Sequence, residues 1–195
     1  MIERLVDKIF TSLYLRKIYH LGGGLLMVIA LAQVERNLFI LFGALYFLAF
    51  LVLAKRISFA VIGVTLLYLL TGSKNLTLYT TIIWLVGDGA AGLIGSALGK
   101  RKVPWNNQKT ILGSTSFFLS SLAVLLALFI LAVEEFNASL VILGVVTCLV
   151  ACFIESLPVS FIRDRKPDDN FIILVLSGLT MWQASDLLGL GALLW

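Results

Sequence analysis

Apolar residues run along this chain in long unbroken blocks, and the charged residues fall almost wholly in the short gaps between them. Seven blocks can be read, at about 18–34, 37–54, 57–72, 76–99, 111–133, 138–161 and 170–188. Most approach the roughly 20 residues that an α-helix needs to cross a bilayer. A membrane β-barrel would instead alternate apolar and polar positions in segments of about ten residues. The pattern therefore predicts an all-α fold, a polytopic transmembrane helical bundle of about seven spans. Ahead of it, Ile2, Leu5, Val6, Ile9, Phe10 and Leu13 share one helical face, with Glu3, Arg4, Asp7 and Lys8 elsewhere. That is the pattern of an amphipathic helix lying in the membrane interface. The expected organisation is one integral-membrane domain over 1–195, with 1–16 as the interfacial helix and 17–195 as the bundle.

Composition supports the same solvent. The 195 residues are 60% hydrophobic and 13% charged, against roughly 45–50% and 25% in soluble domains. That excludes a soluble enzyme, a nucleic-acid-binding module and a secreted disulfide scaffold. Cys148 and Cys152 sit four apart inside an apolar block and read as small packing residues. The net charge of +4 is a topology signal. Alternate gaps between the blocks carry thirteen and two of the 15 Lys and Arg residues. By the positive-inside rule, the N-terminus, the 55–56 gap, the 100–110 loop and the 162–169 loop are expected in the cytoplasm.

The fourth block is anomalous. It carries Gly87-Asp88-Gly89-Ala90-Ala91-Gly92, then Gly95 and Gly99. A carboxylate far from the ends of a span costs roughly 2.5–3.5 kcal/mol on insertion scales. The small residues alone fit close helix packing, but that leaves Asp88 unexplained. The functional reading is a groove where backbone approaches a ligand, headed by a carboxylate. Next comes the basic loop with Lys100, Arg101, Lys102 and Lys109, leading through Thr110 to Gly113-Ser114 at a helix start. Such a loop can simply meet the positive-inside rule or touch anionic lipid. A cation beside free N–H groups at a helix N-terminus also suits a phosphate.

Glu155 lies near the inner end of the sixth block, and Asp168-Asp169-Asn170 open the seventh, where they can act as helix caps. His20 opens the first block at the same membrane face. An acidic cluster opposite a basic loop points to phosphate bridged by a divalent cation, since magnesium is commonly shared between carboxylates and substrate phosphates. On this reading Asp88, Glu155 and Asp169 serve as metal ligands and general base. Lys100, Lys102, Lys109 and the Gly113-Ser114 backbone hold phosphate.

These motifs carry a family resemblance. Gly87 to Gly95, Gly99-Lys100, Lys102 and Lys109-Thr110-Ile111-Leu112-Gly113-Ser114 resemble the signature of the dolichol kinase, phytol kinase and CTP-dependent diacylglycerol kinase family. So do Arg16-Lys17-Ile18-Tyr19-His20 and Glu155 with Asp169-Asn170. The one departure, Thr110 where serine is more usual, keeps the hydroxyl. The resemblance implies an integral-membrane kinase of lipid alcohols, using CTP and a divalent metal, Mg2+ first. The expected acceptor is an isoprenoid alcohol of the dolichol, polyprenol or phytol type, or else diacylglycerol. The resemblance also places Gly95, Gly99, Thr110, Asn170 and His20 in the nucleotide-binding set. Partners are then CTP or another nucleoside triphosphate, the lipid alcohol and membrane lipids, with no nucleic acid. The alternatives are a CDP-lipid-forming cytidylyltransferase and, in a different class, a transporter or channel. Inverted repeats would favour the transporter, and none is visible.

Overall fold

The computed structural model describes residues 13–53, 59–158 and 169–191. Seven helices occur among them: α1 Leu13–Gln33, α2 Arg36–Leu53, α3 Phe59–Thr71, α4 Lys74–Leu98, α5 Ile111–Ala132, α6 Ala138–Ser156 and α7 Asp169–Leu187. Each coincides with one predicted block to within a few residues. Without water, a backbone must satisfy its polar groups within the segment, and the helix does so. Three of the seven, α4, α5 and α6, are long and apolar enough to cross a membrane. Apolar helical stretches also run over Leu21–Gln33, Arg36–Tyr46 and Phe59–Thr71. The interfacial helix predicted ahead of Leu13 lies outside the described residues.

Helix starts are capped as their sequences require. The side chains of Ser73 and Asn137 accept from the backbone N–H of Leu76 and Leu140, opening α4 and α6. Gly72, at φ +68°, makes the tight turn from α3 into α4. The sixth predicted block reached residue 161, whereas α6 ends at Ser156. Pro158 is the reason: the residue before a proline is driven out of the helical region, and Leu157 is extended at φ −71°, ψ 146°. Glu155 therefore lies in the last helical turn rather than inside a span.

One element was not predicted. The basic loop is a short antiparallel hairpin, β1 Lys102–Val103 and β2 Asn106–Thr110, turning through Pro104-Trp105. Val103 is buried beneath it, and β2 runs straight into α5.

Helix α4 is the hub, packed on α1, α3, α5 and α7, most extensively on α5. The α4–α5 contact is made by small residues. A side chain at Gly87 would strike Ser121 and Phe117, and one at Gly95 would meet Thr110 Oγ1 at 2.9 Å and Gly113 Cα at 3.0 Å. The Ser121 hydroxyl donates to the Ile83 carbonyl at 2.9 Å across this interface. Buried apolar side chains fill two regions, one around Trp84, Phe117, Ile154 and Ile173, the other around Ile83, Leu125, Leu143 and Met181. Exposed aliphatic and aromatic side chains such as Leu119, Ile130, Ile142, Leu149 and Phe153 face outward, as a lipid environment demands.

Gly95→Leu should lower the melting temperature in detergent, because the new side chain meets backbone at Gly113. Overpacking of this kind costs about 1–3 kcal/mol. Ser96→Leu, one residue on at an exposed position, should leave it nearly unchanged. Equal melting temperatures for the two variants would refute the small-residue contact.

Candidate active site

The polar ends of α5, α6 and α7 meet at the hairpin. Lys109, on β2, extends its amine to two carboxylates, reaching Glu155 Oε1 at 2.5 Å and Asp169 Oδ2 at 3.1 Å. Glu155 is buried at the end of α6, and Asp169 is the first residue of α7. The Ser114 hydroxyl, in the first turn of α5, donates to the other Glu155 oxygen, Oε2, at 3.3 Å. The Cys152 thiol donates to the Ser114 carbonyl at 3.2 Å and ties α6 to α5 beneath the site. Four elements thus supply one cluster of a cation, two carboxylates and a hydroxyl.

Burial by itself disfavours the ammonium form of Lys109. The attraction of Asp169 and Glu155, with a hydrogen bond to each, outweighs that penalty and raises its pKa above the ordinary lysine value. A raised value in the folded state means that the pairing with carboxylates favours folding from neutral pH up to the ordinary lysine range. That contribution is lost only as pH climbs through the raised value. Lys109 is therefore cationic throughout the physiological range.

The helix start after Lys109 is closed rather than open. Thr110 is buried, and its Oγ1 accepts the Gly113 N–H at 3.1 Å. The N–H of Ile111 donates to the Arg101 carbonyl at 3.0 Å. The Gly113 N–H that the sequence offered to phosphate is thus already satisfied within the protein. Toward α5, the missing side chains of Gly95 and Gly99 make a notch that Thr110 fills. Lys100, Arg101 and Lys102 are exposed at the start of the hairpin.

Asp88 is half-buried on α4. It lies one turn beyond Trp84, on the same face. The Trp84 indole N–H donates to Asn170 Oδ1 at 2.8 Å. That face of α4 is therefore the one turned to the start of α7, where Asp169 lies. Asn170 has a structural partner here, locking α7 onto α4. Helix α1 runs antiparallel to α4, with Leu21 against Gly89 and Gly24 against Leu85. The His20 position thus falls beside the Asp88 turn, while its side chain lies outside the described residues.

Of the three carboxylates expected to share a metal, Glu155 and Asp169 are brought together, with Lys109 between them. Among the described residues, no three His, Cys, Asp or Glu groups are close enough to hold a metal ion. The donor chemistry still fits magnesium, which binds through one or two carboxylates and completes its shell with water and phosphate oxygens. The sequence reading missed Trp105, Asn106 and Ser156, which join the hairpin to α6. Pro104, with Asn106 two residues on, is a turn signal that marks this segment.

Two curated relatives carry names that match the motif resemblance. Both are kinases of isoprenoid alcohols by name. The chain is 33% identical over 91 residues to a probable phytol kinase 3, chloroplastic, of Glycine max, covering 45% of this chain and 27% of the relative. It is 31% identical over 97 residues to a farnesol kinase, chloroplastic, of Arabidopsis thaliana, covering 48% of this chain and 30% of the relative. The matched stretch spans less than a third of either relative's length. No family model matches the chain, and no solved structure matches it. The similarity to phytol and farnesol kinases bears out the resemblance read from the Gly87–Ser114 motifs.

Proposed function

We propose that this protein is a membrane-embedded kinase that moves the γ-phosphoryl group of a nucleoside triphosphate onto the hydroxyl of an isoprenoid alcohol. Phytol and farnesol are the first acceptors to test, followed by longer polyprenols and diacylglycerol. CTP is the first donor, on the motif resemblance. The observation that carries the reading is the Lys109–Glu155–Asp169 cluster at the polar end of apolar helices. It is a charged site where a lipid's head can meet a nucleotide from the water.

Phosphoryl transfer asks little covalent work of a protein. Positioning and charge neutralisation supply most of the rate. Lys109 offers a fixed ammonium for a phosphate oxygen. Exposed Lys100, Arg101 and Lys102 draw the polyphosphate to the hairpin through long-range attraction. Glu155 or Asp169 accepts the proton of the alcohol as its oxygen bonds to the γ-phosphorus. The bond to the bridging oxygen then breaks, and the nucleoside diphosphate leaves with the electron pair. A magnesium ion held by Glu155 and Asp169, with Asp88 on the facing helix, would neutralise phosphate charge. The Ser114 hydroxyl orients Glu155 throughout.

The test uses purified protein in lipid nanodiscs with magnesium, γ-labelled CTP, ATP or UTP, and the alcohol panel. Label should pass into an organic-extractable monophosphate, with CDP as co-product. Release of pyrophosphate with formation of a CDP-lipid would replace the kinase with a cytidylyltransferase. No labelled lipid with any donor would leave the transporter class standing.

The site end of the bundle is assigned to the cytoplasmic side, from the thirteen-to-two partition of Lys and Arg over alternate gaps. In a background lacking Cys148 and Cys152, single cysteines at Arg101 and Glu135 should react with a membrane-impermeant thiol reagent from opposite sides. Reaction from one side only would overturn the seven-span topology.

A further inference from the structure

Lys109 is strung between two anchors on its own strand. On one side Thr110 sits in the notch left by Gly95 and Gly99. On the other, three residues back, Asn106 is buried with both ends of its amide engaged. Its Nδ2 donates to the Ser156 carbonyl at 3.1 Å, and its Oδ1 accepts the Gln108 N–H at 3.0 Å. The neighbouring Trp105 indole N–H donates to Ser156 Oγ at 3.2 Å, with its ring tilted over Phe153.

Ser156 is the residue after Glu155. Its carbonyl lies in the last turn of α6, where helical acceptors have lost their i+4 donors. Asn106 supplies the missing donor from the hairpin, and the Gln108 N–H to Asn106 Oδ1 bond folds the strand locally into an Asx-type turn. One amide therefore fixes the distance between the strand that carries Lys109 and the helix turn that carries Glu155.

We propose that Asn106 is a positioning residue whose amide clamps the hairpin to the end of α6 and so sets Lys109 between Glu155 and Asp169. Its catalytic consequence rests on the kinase reading above; its placement of Lys109 does not. The amide does both jobs at once, whereas a carboxylate has no donor for Ser156 and an apolar side chain has neither group.

The variant Asn106→Asp keeps the acceptor for Gln108 and removes the donor to Ser156. Two measurements on the full chain in nanodiscs read the result. The first is acylation of each lysine by a water-soluble amine reagent, followed by mass spectrometry. Release of the clamp should raise labelling of Lys109 by about tenfold, as expected for one lost buried hydrogen bond, with Lys100 and Lys102 unchanged. The second is turnover. The rate constant kcat should fall by up to about a hundredfold, the cost of an ångström-scale misplacement, with less change in KM for the nucleotide. Asn106→Asp should also add no further loss in a Lys109→Met background. A merely structural asparagine would multiply the losses in that background.

If Asn106→Asp does not accumulate in the membrane, Trp105→Phe loosens the same joint by removing the indole donor while keeping an aromatic ring beside Phe153, read by the same label. Unchanged Lys109 labelling in a folded variant overturns the proposal. Increased labelling in a protein whose wild type phosphorylates no alcohol sustains the clamp and removes the kinase reading.

Discussion

Glu155→Gln is expected to cut phosphoryl transfer by about 10²–10⁴-fold, the range over which a positioned acid–base group contributes, while the protein still inserts and folds. Glu155 is buried, receives the Lys109 ammonium on one oxygen and the Ser114 hydroxyl on the other. Glutamine keeps its size and can still accept one of these bonds. What it loses is the negative charge, and with it the capacity to take a proton from the alcohol or to ligate a cation. Asp169→Asn keeps a residue that suits a helix N-terminus and removes the second carboxylate from Lys109. It should be comparably inactive. Asp88→Asn tests whether the facing helix contributes to the same site. The three losses should combine far below their product, since groups that act as one unit are not additive. The check is kcat/KM for singles, doubles and the triple variant, with melting temperature alongside. Full activity in Glu155→Gln would remove Glu155 from the catalytic set and leave Asp169 as the one described carboxylate paired to Lys109 that could act there.

Much of this arrangement was legible in the chain, and the reasons differ by element. The seven helices were readable because lipid permits so few alternatives: a continuous apolar block has to close its backbone bonds within itself. Helix ends were less legible. Glu155 looked like a charge inside a span, because the apolar block runs on past Pro158; only the turn geometry at Leu157 shows α6 ending at Ser156. The glycines of α4 were ambiguous for a physical reason. A helix face without side chains admits either a ligand or another helix, and the sequence does not say which arrives. Here Thr110, Gly113 and Phe117 arrive, so on this side the backbone approach is helix to helix. Asp169 was read as a possible cap, and the structure gives it a charge partner 60 residues upstream. Such a pairing has no local signature. The hairpin was the largest omission. Its bonds to the end of α6, from Trp105 and Asn106 to Ser156, are long-range, and contacts of that kind leave only a turn signal at Pro104.

Lys109→Met should reduce kcat/KM by at least about a hundredfold, whereas Arg101→Met should stay within about tenfold of wild type, as expected for charge-assisted contact against loose electrostatic attraction. Both variants remove one positive charge from the same hairpin, so an effect through membrane-surface charge would make them equal. Their surroundings differ. Arg101 is exposed beside Lys100 and Lys102, which can take over its share of the field. Lys109 faces Glu155 and Asp169, and its loss leaves two like charges together at the end of an apolar bundle. Removing one partner from a fully buried pair costs about 3–5 kcal/mol. The cost here is smaller, because the Lys109 and Asp169 side chains keep 27% and 30% exposure. Lys109→Met should therefore lose stability as well as activity, and a second substitution separates the two. Adding Glu155→Gln to Lys109→Met removes the more deeply buried of the two charges and the repulsion between them. The double variant should recover most of the melting temperature while remaining inactive. Recovery of both would mean that the cation and the carboxylate serve only to balance each other, and the cluster would then be a structural ion pair. Recovery of stability alone is the result that the active-site reading requires, because a phosphate needs the ammonium and the attacking hydroxyl needs the carboxylate, whatever the net charge of the site.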